Sequence, residues 1–236
     1  MRSKIKNFLR KKNTKKIVCL TAYSKPITKI LDNFCDLVLV GDSLANVLYG
    51  MKTTHNLKLE TVINHAKSVR LGIKKSLFVV DMPKDTYKSP KQALKNAKYI
   101  LKKTGCDAVK IENNLQNLNI VKSLTKSKIN VMGHIGFTPQ FKKKFKVEGK
   151  NKNEQIKLLK HAQSIEKAGA FSIVLECISK ASAKKITKSI KIPTIGIGSS
   201  KECDGQILVT DDVLGLSGFY PKFVKKYANL EKIIKN

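Results

Sequence analysis

The sequence predicts an α/β chain closed into a TIM (β/α)8 barrel, and three observations carry that reading. Eight short apolar runs recur along the chain, and most are separated by helix-length stretches. Runs of four or five apolar residues without alternation, such as 37–40 and 77–80, suit strands covered on both faces, as in a parallel sheet. The length of 236 residues lies within the range of one barrel. A doubly wound open sheet is the alternative, but no Gly-x-Gly-x-x-Gly follows the first run, so its dinucleotide-binding version lacks its signature.

Taken in order, residues 1–16 are basic, with Ile5, Phe8 and Leu9 placed as in a short N-terminal helix. The apolar stretch 17–22 behind them is too short for a signal-peptide core. The expected strands are 17–20, 37–40, 77–80, 108–111, 129–132, 171–175, 193–197 and 207–209. Ser89 followed by Pro90 reads as an N-cap with proline at the first helical position, opening a helix to about Lys103 with Gly105 just past its end. A similar helix spans 156–168 and stops at Gly169. Residues 141–152 read as an exposed basic loop after strand five, and the last residues as a surface helix. No repeat or low-complexity linker interrupts the series, so 1–236 is expected to be a single barrel domain.

Composition narrows the function. There are 47 Lys+Arg against 17 Asp+Glu, a formal net charge of +30, which invites a nucleic-acid reading. Yet only Arg2, Arg10 and Arg70 are arginines. Surfaces that read bases or clamp phosphates favour the planar guanidinium fork, whereas lysine is a hydrated point charge. The lysine excess, beside abundant Asn and Ile, has the look of codon bias and argues against nucleic acid as the main partner. No apolar run approaches the ~20 residues that cross a bilayer. Cys19, Cys35, Cys106, Cys177 and Cys203 are odd in number, widely spaced and without a C-x-x-C pair, the pattern of reduced thiols in a cytoplasmic protein.

The polar residues at the strand ends carry the chemistry. Val40 leads into Gly41-Asp42-Ser43, Val80 into Asp81, and Ile111 into Glu112 with Lys110 just before; Met132-Gly133 leads into His134, and Leu175 into Glu176. In a barrel these ends share the carboxyl rim, where such enzymes place their chemistry. Three acids on adjacent strands two, three and four repel one another unless a cation or a lysine neutralises them. An oxygen-only set points to Mg²⁺ rather than zinc. Each residue also has a plainer reading. A lone Asp at a strand end often caps the next helix, Lys110 has many solvated counterparts in this chain, and His134 alone fits a structural histidine. Gly196 and Gly198 fit either a phosphate-binding turn or simple relief of crowding. Four acids on strands two, three, four and six shift the balance towards function.

Seven segments then resemble one family. They are Thr21-Ala22-Tyr23, Val40-Gly41-Asp42-Ser43-Leu44, Lys110-Ile111-Glu112, Gly133-His134-Ile135-Gly136-Phe137-Thr138-Pro139-Gln140, Leu175-Glu176-Cys177, Ile195-Gly196-Ile197-Gly198 and Asp204-Gly205-Gln206-Ile207-Leu208-Val209. In this order, over nearly the whole chain, they resemble the ketopantoate hydroxymethyltransferases. The resemblance implies a barrel of the phosphoenolpyruvate/pyruvate-like superfamily that uses Mg²⁺. It would transfer the one-carbon unit of 5,10-methylenetetrahydrofolate to 3-methyl-2-oxobutanoate through a Mg-stabilised enolate, giving 2-dehydropantoate and tetrahydrofolate in pantothenate biosynthesis. By matching positions, Asp42 and Asp81 would hold the ion, with Glu112 joining directly or through water. Ser43 and Lys110 would bind the oxo acid, Glu176 would be the general base, and His134 a secondary candidate for orienting a ligand or relaying a proton. The resemblance also implies a homo-oligomer, a decamer of five-membered rings.

The chain departs from the family pattern in places. Ser24 stands where Asp is usual, Lys84 where an aromatic is common, and Gly198-Ser199-Ser200 in place of Gly-Ala-Gly. The loop after Gln140 is short and lysine-rich. These changes bear on the second-substrate site and lid, not on the metal or base positions. Other magnesium 2-oxo-acid enzymes of the superfamily, the carbon–carbon lyases and phosphonate mutases, place a reactive cysteine in a loop near the metal, and Cys177 and Cys203 are not in such a motif.

Overall fold

The computed structural model describes residues 2–114, 116–142, 145–218 and 220–236. Helix α1 (Arg2–Arg10) precedes strand β1 (Ile17–Thr21), and α2 (Lys25–Leu31) leads to β2 (Leu37–Val40). After β2 come a single turn α3 (Leu44–Val47), a 3-10 turn at Thr54–Asn56 and α4 (Leu59–Arg70). The series continues with β3 (Leu77–Asp81), α5 (Pro90–Thr104), β4 (Ala108–Lys110), α6 (Leu118–Lys126), β5 (Val131–Gly136), α7 (Lys152–Lys167), β6 (Ser172–Glu176), α8 (Lys180–Ser189), β7 (Thr194–Ile197) and β8 (Gly205–Leu208). Two short helices follow, α9 (Thr210–Leu214) and α10 (Leu230–Lys235). All eight strand pairings are parallel, and β8 returns to β1, closing the expected barrel in sequence order.

Two cores hold this arrangement. The inward series along the strands, which includes Leu37, Leu39, Leu77, Val79, Ala108, Met132, Val174, Ile195 and Ile207, fills the barrel. Ile5 and Phe8 of α1 join this inner core from below, and the Phe8 ring meets Phe171 edge-on at 5.8 Å. Lys12, just past α1, fastens that plug with a 2.8 Å bond to the buried Asp204. The alternate residues, such as Val38, Val40, Phe78 and Val80, face outward into the second core against the helices. The period of two therefore sorts every strand into an inner and an outer row.

The local signals behave as their chemistry requires. Ser89 accepts the Gln92 N–H, Pro90 opens α5, and Gly105 closes it at φ 63. Three elements differ from the sequence reading by two residues or more, the others by one residue at most. Strand β5 begins two residues late and runs to Gly136, because His134 and Gly136 pair in register with Val174 and Glu176. His134 is thus an inward strand residue, not one beyond the strand. Strand β8 begins at Gly205, whose backbone pairs with Ile17 where a Cβ would lie 2.5 Å from the Ile17 carbonyl oxygen. Helix α7 starts at Lys152, capped by Asn151, so the basic segment after Gln140 is shorter than expected. Within that segment Gly149 is buried and Glu148 bridges to Ile178, while Lys143 and Lys144 lie outside the described residues. The final helix has no buried residue, all five cysteines are buried and unpaired, and no helix among the described residues is long and apolar enough to cross a membrane.

Candidate active site

The inner row of each strand changes from apolar to polar as it reaches the carboxyl rim. Leu77 and Val79 are followed two residues on by Asp81, Ala108 by Lys110 and then Glu112, Met132 by His134, and Val174 by Glu176. The same strand geometry that fills the barrel thus lifts these groups to its floor. With Asp42 and Ser43 after β2, all seven line one cavity of about 580 Å³ at that end. The seven residues singled out in the sequence are therefore brought together.

On the β2–β4 side, Lys110 Nζ lies 2.5 Å from Asp81 Oδ1, both side chains almost fully buried. The register that sets Asp81 beside Lys110 across β3 and β4 makes the pair. Asp81 Oδ2 accepts the Asp42 backbone N–H at 3.0 Å, which ties the start of the loop after β2 to the end of β3. Gln140, quoted in the motif but given no role from sequence, ties the third to them. Its N–H donates to Glu112 Oε2 at 2.9 Å and its Nε2 to Asp42 Oδ2 at 2.9 Å, while its Oε1 accepts from Tyr87. Ser43 Oγ is bonded to the Tyr23 hydroxyl. Among the described residues no group of three or more His, Cys, Asp or Glu is placed to hold a metal ion by itself. Lys110 and Gln140 stand between the acids expected to converge.

Glu176 closes the opposite side. Gly136, at φ 95 and paired with Glu176, leaves no room for a side chain, since a Cβ would meet the Glu176 carbonyl oxygen at 2.1 Å. Cys177, next in the chain, is held in the left-handed region at φ 50, where a non-glycine residue is strained. His134 bridges the two acid groups by position: its Nε2 is 3.1 Å from Glu176 Oε2 and its Nδ1 3.8 Å from Glu112 Oε1. Neither nitrogen, nor Glu112 Oε1, is aligned for a hydrogen bond within the protein. Buried polar atoms of that kind await a ligand.

The electrostatics follow from four carboxylates sharing one buried cation. Burial pushes the Glu112 carboxyl well up, with Asp42 adding and Lys110 opposing. Asp81 is likewise raised by burial against the pull of Lys110. Burial would lower Lys110, but Asp81, Asp42 and Glu112 outweigh it and keep the ammonium charged. Burial and Lys110 hold His134 well below the usual range, so its ring is neutral near pH 7. Glu176 is pushed up by burial to about 8, with Lys110 opposing.

The departures also find their places. Lys84 Nζ donates to His55 Nδ1 at 3.2 Å while His55 Nε2 donates to the Pro139 carbonyl, fixing this ring at the cavity wall. The shortened loop brings Phe145 to stack on Phe137 at 4.1 Å. Gly198 offers no phosphate cradle. A Cβ there would sit 2.5 Å from the Phe223 ring, so the glycine makes room for an aromatic from the C-terminal segment. Phe223 and Asp212, both in the cavity wall, were not visible in the sequence reading, since neither lies in a strand-end motif read for chemistry.

A closed barrel with a buried acid–lysine set at its carboxyl end is the framework of a (β/α)8-barrel enzyme. Solved structures of that class share the fold. A phosphonopyruvate hydrolase complexed with oxalate and Mg++ superposes with TM-score 0.65 at 10% identity, over 87% of this chain and 80% of that one. A 2,3-dimethylmalate lyase of the PEP mutase/isocitrate lyase superfamily gives 0.60 at 14%, over 81% and 71%. The sequence is more specific. The family model for ketopantoate hydroxymethyltransferase matches residues 2–236. A 3-methyl-2-oxobutanoate hydroxymethyltransferase of Pelagibacter ubique (strain HTCC1062) is 54% identical over 236 residues, 100% of this chain and 92% of that protein. One from Anaplasma marginale (strain Florida) is 47% identical over 229 residues, 96% and 83%. The chain belongs to the ketopantoate hydroxymethyltransferase family.

Proposed function

We propose that the chain transfers the one-carbon unit of 5,10-methylenetetrahydrofolate to C3 of 3-methyl-2-oxobutanoate, giving 2-dehydropantoate and tetrahydrofolate. It works as a single cytoplasmic barrel domain, with Mg²⁺, in a homo-oligomer. The observation that carries this reading is the opposition, across one cavity, of the Asp42–Asp81–Lys110–Glu112 wall and Glu176.

The donor set fits magnesium. The Asp81 carboxylate accepts the Asp42 backbone N–H, Glu112 Oε1 is buried without a partner, and no cysteine lines the cavity. Magnesium usually takes one or two carboxylates and completes its shell with water and substrate, so a closed protein cage is not needed. Asp42 and Asp81 would hold the ion, with Glu112 direct or through water. Bound there, it supplies Lewis-acid polarisation of the 2-oxo group.

The protein's own groups do the rest. Lys110 and Ser43 hold the carboxylate of the oxo acid. Glu176, on the other side, takes the C3 proton onto its carboxylate, and a conjugate acid near pH 8 suits a base working near neutrality. Neutral His134, with Nε2 3.1 Å from Glu176 Oε2, stands within reach to orient a ligand or relay a proton beside that carboxylate. The electron pair left at C3 forms the new C–C bond to the methylene carbon, whose two C–N bonds break in turn, each folate nitrogen keeping its pair. Water supplies the hydroxyl, and its other proton and the one taken from C3 end on the two nitrogens.

The test is C3 proton–deuterium exchange of 3-methyl-2-oxobutanoate in D₂O, followed by addition of the folate donor. Exchange that needs Mg²⁺, is lost with chelator, and is followed by 2-dehydropantoate on donor addition is expected. Failure to form 2-dehydropantoate with both substrates and Mg²⁺ would sink the proposal.

A further inference from the structure

The cavity is several times larger than a five-carbon oxo acid, and its two sides differ in chemistry. The wall at the ends of β7 and β8 and the segment after α9 is apolar, with Ile197, Leu208, Pro221, Phe223 and Val224. One carboxylate interrupts it: Asp212, in α9, which is 6% exposed and lines the cavity. The chemistry derived above for the oxo acid makes no use of Asp212. Phe223 is placed for contact with a ligand. Its ring is seated against the Gly198 backbone, which has no side chain to displace it, and it remains 37% exposed beside the cavity.

A carboxylate set in an apolar recess is costly to bury unless it is matched by donors. Burial raises the Asp212 carboxyl, a hydrogen bond with the Ser217 side chain opposes, and Asp211 adds to the rise; one hydroxyl occupies only one of a carboxylate's several acceptor positions. The ligand that suits such a recess has a flat ring, for the aromatic wall, and two parallel N–H groups on one edge, for bidentate pairing with a carboxylate. The one-carbon donor of the proposed reaction carries both in its pterin ring, whose 2-amino group and N3–H lie side by side.

We infer that Asp212 is the specificity-determining residue for that donor, accepting from the 2-amino group and N3–H of the pterin while Phe223 flanks the ring. This rests on the folate reading above. It also gives the cavity a division of labour: the oxo acid sits on the β2–β4 wall, the donor ring enters along β7 and β8, and the two meet beside Glu176.

The experiment is calorimetric binding of tetrahydrofolate and of its 2-desamino analogue, under reducing anaerobic conditions, to the full chain and to Asp212→Asn. The intact chain is expected to bind tetrahydrofolate at least tenfold more tightly than the analogue, because a site built to pair a donor rejects a ligand lacking it. Asp212→Asn is expected to lose at least tenfold for tetrahydrofolate and little for the analogue, a coupling that a purely structural role would not produce. Equal losses for both ligands, or no loss for either, would overturn the assignment and leave the folate reading standing. No binding of tetrahydrofolate to the intact chain would overturn the folate reading itself. Should Asp212→Asn fail to fold, as judged by its thermal melt, the comparison on the intact chain decides alone: equal affinities for the two ligands refute the assignment.

Discussion

Replacing Glu176 by Gln separates the demands of catalysis from those of stability. The folded chain holds this carboxyl up at about 8 instead of 4.5, chiefly through burial. Between those two values the folded state keeps a proton that the unfolded chain has released, so stability falls as pH rises, by at most 1.36 kcal/mol per pH unit. The loss begins above the unfolded value and is complete once pH has passed the folded one. Taken over the whole interval, the bound is about 5 kcal/mol. The Glu176 side chain keeps 12% exposure towards the cavity, and solvation there halves the figure to about 2–3 kcal/mol. Gln has the same shape and no such slope. Urea unfolding of metal-free protein should therefore show Glu176→Gln matching the parent chain near pH 5 and exceeding it by about 2–3 kcal/mol above pH 8. The same substitution should abolish C3 exchange while leaving oxo-acid binding within about threefold. A stability gap independent of pH would refute the electrostatic argument, and undiminished exchange would refute the base assignment.

Two further substitutions probe buried charges, one inside this site and one far from it. Lys110→Met removes the cation bonded to Asp81 and leaves buried acids unpaired, so unfolding at pH 8 should cost about 3–5 kcal/mol less; a change below about 1 kcal/mol would show that the pair contributes nothing. Asp32, at the barrel's other end, accepts the Lys74, Lys75 and Ser76 N–H groups, and burial, which would raise its carboxyl, is outweighed by these bonds. Because its folded pKa is lowered, its stabilisation is present above the ordinary 3.8 and fades as pH falls through the folded value. Asp32→Asn should thus lose about 1–3 kcal/mol at pH 7 and little at pH 2, a difference that chemical denaturation at the two pH values measures directly.

What the sequence made legible follows from how local each signal is. A strand buried on both faces announces itself by composition, and an N-cap, a proline and a closing glycine mark α5 within a residue. The strand-end acids were visible for the same reason, being polar residues set against apolar runs. The position of His134 was not, because a strand's end is decided by its neighbour. Gly136 pairs with Glu176 across the ladder, and nothing within residues 129–136 encodes that register. Gln140 escaped for a related reason: its bonds to Asp42, Glu112 and Tyr87 span up to 98 positions. Asp212 and Phe223 are further still from any local pattern, since one becomes a cavity wall only when the barrel closes and the other only when the C-terminal segment lies over Gly198.

The +30 charge can be placed on the same physical footing. Among the described residues Lys110 is the one lysine in the buried set; Lys12 comes near it, paired with Asp204, and the other lysines are partly or fully exposed. An exposed lysine changes stability by about half a kilocalorie per mole or less, so the outer surface tolerates almost any number of them. Inside the rim the arithmetic reverses. Four carboxylates around one lysine are already short of positive charge, and a second buried lysine would compete with a divalent ion for the same oxygens. Losing an acid instead would strand Lys110, at several kilocalories per mole. The interior balance is therefore fixed by its own chemistry, whatever the composition outside, which is why a chain so rich in lysine carries an acidic site.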